Sequence, residues 1–130
     1  MIWLYVWIWG FFGAIARYFL TKFWNYILPH NVPFGTLLVN VFGSFMIGIL
    51  FGIFYYYSVD IKIKSLVMTW FLGALTTFST FAAESFFLAD WWNYKHFFYN
   101  IWLNLFFTIG FVAVWFYGVK FIIEKLFWVN

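Results

Sequence analysis

The chain has 130 residues, 67% of them hydrophobic and 32% aromatic but only 8% charged, which leaves too little polar surface to cover a water-soluble domain of this size. It contains no cysteine, so disulfides, thiolate metal sites and thiol chemistry are excluded. A formal net charge of +3 says little about a chain immersed in lipid except through where its basic residues fall.

Four apolar blocks, at about residues 2–23, 34–57, 65–89 and 97–123, each reach the ~20 residues that a helix needs to cross a ~30 Å hydrocarbon core. Short connectors near 25–33, 58–64 and 90–96 join them. The sequence therefore predicts one all-α transmembrane domain of four helices over residues 1–130. The first block opens Met-Ile-Trp-Leu-Tyr and carries no charge before Arg17; without a basic start or a small-residue cleavage site it is expected to stay as a helix. Arg17 would cost at least ~2.5–3.5 kcal/mol at the bilayer centre, so it is expected to reach water. It either snorkels or forms a positive mouth that gathers anions and raises on-rates by ~10-fold or more. His30, in the first connector, and His96 read as solvated loop residues.

In the second block Thr36, Asn40, Ser44, Gly48 and Gly52 recur every four residues, which sets a small, polar stripe on one drifting helix face. Ser44, Gly48 and Gly52 read as packing positions that let another helix approach. Asn40 differs, because a carboxamide at membrane depth must find partners or water.

The third block is interrupted by small, hydroxyl and acidic residues between Gly73 and Glu84. Gly73 can leave helical geometry, and the hydroxyls of Thr76, Thr77, Ser79 and Thr80 can satisfy backbone groups freed by a break near 73–80. Thr80 is the expected N-cap of a second half-helix, with Glu84 one turn in, where the macrodipole favours negative charge. The alternative is a continuous helix whose hydroxyls bond preceding carbonyls. A break in lipid is tolerated only inside protein or beside water. Phe78 and Phe81 on that turn offer positive ring edges, which can hold a small anion without the trap of a full charge. Glu84 either pairs with a donor, faces water or carries protons.

In the fourth block His96, Asn100, Asn104 and Thr108 again step by four, covering ~18 Å of helix. This is either interhelical glue or a polar track through more than half the membrane. Basic residues divide almost evenly: Lys62, Lys64 and Lys125, with Lys120 nearest that side, against Lys22, Lys95 and Arg17. So even a split allows insertion in both orientations and pairing of opposite copies, or else one orientation set by a weak bias.

Three stretches, Gly10-x-x-Gly13-Ala14-x-x-Arg17-Tyr18, Gly35-Thr36-Leu37-x-Val39-Asn40-x-x-Gly43-x-x-x-x-Gly48 and Gly73-x-x-Thr76-Thr77-Phe78-Ser79-Thr80-Phe81-x-x-Glu84, together resemble the Fluc (CrcB-type) fluoride channels over all four spans. The resemblance implies an antiparallel, dual-topology homodimer in the cell's inner membrane that passes fluoride outward through two pores, with a structural sodium ion at the dimer centre. It implies a fluoride path along Asn40, Phe78, Phe81, Thr80, Asn100, Asn104 and Thr108, a vestibule at Arg17, a polar or gating position at Glu84, and sodium on the carbonyls of Gly73 and Thr76. Asn100 and Asn104 depart from relatives with Tyr or His, then Ser, on the fourth helix, but keep hydrogen-bonding capacity. The titratable residues are dispersed, so no enzyme is expected, and no nucleic-acid partner. Two other readings are a small dual-topology, proton-coupled exporter of the multidrug-resistance type, using Glu84, and a structural membrane subunit.

Overall fold

A computed structural model describes residues 2–28 and 31–127; His30 lies outside them. Among these the structure is entirely helical, in the order α1 (Ile2–Ile27), α2 (Phe34–Tyr56), α3 (Ile61–Lys64), a π-helix (Ser65–Leu72), α4 (Gly73–Leu75), α5 (Phe78–Asp90) and α6 (Tyr94–Phe127). Four stretches are long and apolar enough to cross a membrane, the third being Ile61–Asp90. Several spans outrun the apolar blocks. Asp60 caps α3 by accepting the Lys62 N–H at 2.7 Å, which draws Lys62 and Lys64 into a first helical turn rather than a connector. With 34 residues, α6 is ~51 Å long at 1.5 Å per residue, more than a bilayer core requires unless it tilts or protrudes.

The third span is interrupted, as its composition predicts, and the gap is only Thr76 and Thr77. Thr76 has ψ 158° and Thr77 φ −149°, ψ 116°, extended geometry that suits β-branched residues. The first half ends with Thr76 N–H and Oγ1 both donating to the Leu72 carbonyl, each at 2.9 Å. The π-helical stretch before it has no counterpart in the periodicity of the sequence.

Helix α2 is the centre of the bundle. One of its faces joins Val39 to Leu72 and Leu75 in the core, with Ala16, Leu20 and Phe71 packed around them. Its other face lies on α6, and there the glycines matter: a Cβ on Gly48 would stand 2.7 Å from the Val112 carbonyl oxygen, and one on Gly52 2.7 Å from Val119 Cβ. Close approach of this kind is how helices associate where lipid removes the hydrophobic drive. The start of α2 has no side-chain cap of its own at Pro33; Asn25 at the end of α1 instead accepts the Gly35 N–H at 2.8 Å. Helix α5 packs against α6, which completes the frame around the break.

Candidate functional site

The site grows from the two extended threonines. Breaking a helix frees N–H groups, and each must find an acceptor. Thr77 N–H donates to Asn40 Oδ1 at 2.8 Å, and Asn40 Nδ2 donates to the Thr77 carbonyl at 3.1 Å. One carboxamide on α2 thus replaces the helical partners of one residue in the third span. Thr77 is also the N-cap of α5, its Oγ1 accepting the Thr80 N–H at 3.2 Å. The expected N-cap at Thr80 is therefore displaced by three residues. Thr80 sits in the first turn, where its Oγ1 accepts from Thr77 Oγ1 at 3.0 Å.

From Asn40 the polar chain continues across to α6. Asn40 Nδ2 also donates to Asn104 Oδ1 at 3.3 Å, and Asn104 Nδ2 donates to the carbonyl oxygen and Oδ1 of Asn100, both at 3.0 Å. Asn100 Nδ2 donates to Ser85 Oγ at 3.0 Å, and Ser85 in turn to the Phe81 carbonyl at 2.8 Å. Thr108 donates its hydroxyl to the Asn104 carbonyl. Backbone groups fix the sense of this chain: only a donor can face the Asn100 carbonyl, and only an acceptor the Thr77 N–H. The fourth-helix stripe is thus knitted into α2 and α5, with Asn100 wholly buried.

Beside the chain lies a groove of about 190 Å³ lined by Asn40, Ser44, Thr77, Phe78, Phe81, Asn104, Leu105 and Thr108. No charged side chain lines it. The Phe78 and Phe81 rings stand 5.6 Å apart at 60°; Phe81 is buried, whereas Phe78 is 75% exposed in the single chain. A lining of amide and hydroxyl dipoles with ring edges suits a small, weakly held anion, since positive edges and N–H or O–H donors attract it without a fixed countercharge.

Of the sequence-predicted residues, the groove brings together Asn40, Phe78, Phe81, Asn104 and Thr108, with Asn100 behind them. Thr80 and Arg17 are not in its lining. Arg17 belongs to α1, which packs along α2 and the first half of the third span. Glu84 lies about two turns into α5, beyond the reach of the macrodipole at that helix start. It pairs with a donor, because Thr36 Oγ1 donates to Glu84 Oε1 at 2.7 Å. Its Oε2 is buried, with no hydrogen-bond partner among the described residues. His96 is in the first turn of α6 and pairs with the Asn93 side chain, so it is not a loop residue. Ser44, expected as a packing position, lines the groove; Thr77, expected to satisfy the backbone at the break, does so and lines it too; Ser85, which no sequence pattern singles out, joins the polar chain. Ser44 and Thr77 carried a signal, standing one helical turn from Asn40 and next to Phe78.

Two carbonyls at the break fit a hard cation. The Thr77 N–H that a helix would aim at Gly73 goes to Asn40, and the Thr80 N–H that it would aim at Thr76 goes to Thr77 Oγ1. Carbonyl oxygens released in this way are suitable ligands for such an ion. Gly73 is exposed in the single chain, and no group of three His, Cys, Asp or Glu that could hold a metal occurs among the described residues.

Residues 4–119 match the family model described as CrcB-like protein, Camphor Resistance (CrcB). A protein of Campylobacter lari called "Fluoride-specific ion channel FluC" is 47% identical over 106 residues, covering 82% of this chain and 85% of its own. A Campylobacter jejuni protein of the same name is 44% identical over 106 residues, with the same coverage. One from Sulfurimonas denitrificans, also so named, is 43% identical over 112 residues, or 85% of this chain and 87% of its own.

Proposed function

The chain belongs to the CrcB-like family, and from that premise we propose that it is a fluoride-selective passive channel, carrying fluoride out of the cell down its electrochemical gradient and so protecting against fluoride toxicity. The observation that carries this reading is the uncharged groove in which Asn40, Asn104, Phe78 and Phe81 meet at the helix break. Fluoride is small and strongly hydrated. It exchanges water for amide and hydroxyl hydrogens along the groove, and the ring edges hold it too weakly to trap it. The longest link in the chain, 3.3 Å from Asn40 Nδ2 to Asn104 Oδ1, is the one an anion most readily replaces as acceptor. An inside-negative potential drives the ion outward at about 2.3 kcal/mol per 100 mV. No covalent step is involved, and the protein is not an enzyme.

The working unit in this reading is an antiparallel homodimer in the inner membrane. Its support is the even split of basic residues between the two sides and the exposure of Phe78 at the edge of the groove, which a second copy would cover. Sodium at the dimer centre, held by the Gly73 and Thr76 carbonyls, would fix two breaks against each other. Arg17 would then stand at a pore mouth.

Proteoliposomes loaded with fluoride or with chloride, read by ion-selective electrodes, test the reading. Fluoride should leave rapidly under a potassium-valinomycin potential, and chloride should not. Fluoride accumulation driven by a pH gradient with voltage clamped would instead favour a proton-coupled exporter, and loss of neither ion a structural subunit.

A further inference from the structure

The groove contains many hydrogen-bond donors, but nearly all are already engaged. Asn40 Nδ2 is shared between the Thr77 carbonyl and Asn104 Oδ1. Asn104 Nδ2 faces both oxygens of Asn100, Thr77 Oγ1 donates to Thr80 Oγ1, and Thr108 donates to the Asn104 carbonyl. An anion that takes any of these hydrogens must first displace a protein acceptor and leave it bare, which opposes the exchange. Ser44 is the exception. It lines the same groove, one turn along α2 from Asn40, and among the described residues nothing exchanges a hydrogen bond with its hydroxyl. Its helix-mates do otherwise: Thr36 is spent on Glu84, and on neighbouring helices Ser85, Thr76 and Thr108 all donate to carbonyls four residues back.

Resting on the fluoride-channel reading, we propose that Ser44 is an ion-contacting residue of the path: its unengaged hydroxyl is the donor that a fluoride ion meets before any internal bond has to break. A hydroxyl rotates to follow an ion and needs no rearrangement of the backbone. It can accept the ion while Asn40 still holds the break, and then share it as the 3.3 Å Asn40–Asn104 link opens.

Two variants test this in proteoliposomes, with wild-type channel alongside. Ser44→Ala removes the donor and almost no volume, and fluoride efflux should fall about tenfold, the rate equivalent of about 1.4 kcal/mol, near the lower end for a hydrogen bond to a charged group. Ser44→Thr keeps the hydroxyl and should retain efflux within about twofold of wild type. Fluoride concentration dependence supplies a readout that packing alone does not move: half-saturation should rise in Ser44→Ala and stay in Ser44→Thr. Undiminished efflux in Ser44→Ala overturns the proposal, and so does an equal loss in both variants, which would show that the hydroxyl is not what the ion needs at this position. Wild-type vesicles that pass no fluoride overturn the channel reading and this inference with it.

Discussion

Replacing Asn40 with Asp changes one NH₂ to O and leaves the volume of the side chain alone. The oxygen that accepts the Thr77 N–H at 2.8 Å is kept, so the break keeps its main support. The other position turns from a donor into an acceptor that faces two acceptors, the Thr77 carbonyl at 3.1 Å and Asn104 Oδ1 at 3.3 Å. It also places a negative charge beside a groove whose lining holds no cation. An anion about 4 Å from that charge meets about 4 kcal/mol of repulsion at an effective dielectric of 20, which lowers its passage about 1000-fold. Fluoride efflux from proteoliposomes at pH 8 measures this, with size-exclusion profiles confirming that the variant remains assembled. The sign with pH is opposite to that of a folding defect: protonating the introduced carboxyl removes its charge and restores a donor, so efflux should recover as pH falls toward 5. Wild-type efflux at pH 8 would refute the placement of Asn40 beside the ion. A loss that does not respond to pH would show that the break, and not the charge, had failed.

Phe78→Ile and Phe81→Ile keep apolar bulk but lose the positive ring edge, and each should cut fluoride efflux by up to about tenfold, the rate equivalent of the ~1.5 kcal/mol top of the range for an aromatic contact; unchanged flux in both would remove the rings from the path. Thr36→Val takes from Glu84 its one hydrogen bond among the described residues and leaves a carboxyl with neither oxygen paired, at a cost of about 1–3 kcal/mol. A lower thermal midpoint in detergent should report it, and Glu84→Leu on that background should restore much of the loss. Gly48→Ala must push against the Val112 carbonyl at 2.7 Å and should lose about 1–3 kcal/mol of stability, whereas Gly118→Ala, with nothing within 4 Å of its Cβ, should be silent. If sodium sits on the Gly73 and Thr76 carbonyls, replacing it with a bulky organic cation on both sides should weaken dimer retention on size exclusion, while potassium at equal ionic strength should not substitute fully.

The four spans and the break were legible because the chain departs from hydrocarbon only where something specific happens. Of the departures, Asn40, Asn100, Asn104 and the Gly73–Glu84 segment each became part of the polar chain or the interruption, whereas Arg17 is not in the lining of the groove. What the sequence hid were pairings set by other helices. The sequence points to Thr80 as the N-cap, and Thr77 takes that place because Asn40, 37 residues away, accepts its N–H. Thr36 and Glu84 were both conspicuous alone, but only the packing of α2 beside α5 joins them over 48 residues. Ser44 was misread for a geometric reason. A four-residue step overshoots a full turn by about 40°, so the stripe from Asn40 to Gly52 swings by about 120°. Its upper end faces the break and its lower end meets α6; the glycines are packing and the serine, between them, lines the groove.

The interruption and the groove are therefore one construction. In most membrane helices a break is made tolerable by nearby hydroxyls, and Thr76 and Thr77 do part of that here. The decisive acceptor, however, is on another helix, and the same amide that accepts the Thr77 N–H aims its hydrogens at Thr77 and Asn104. Holding the backbone open orients the donors, and the donors close the polar chain down α6. It follows that variants at Asn40 mix two effects unless they keep the accepting oxygen, as Asp does and Leu or Ala does not. Variants at Ser44 carry no such mixture, since that hydroxyl supports no backbone group. Comparing the two positions separates the cost of building the site from the cost of passing an ion through it.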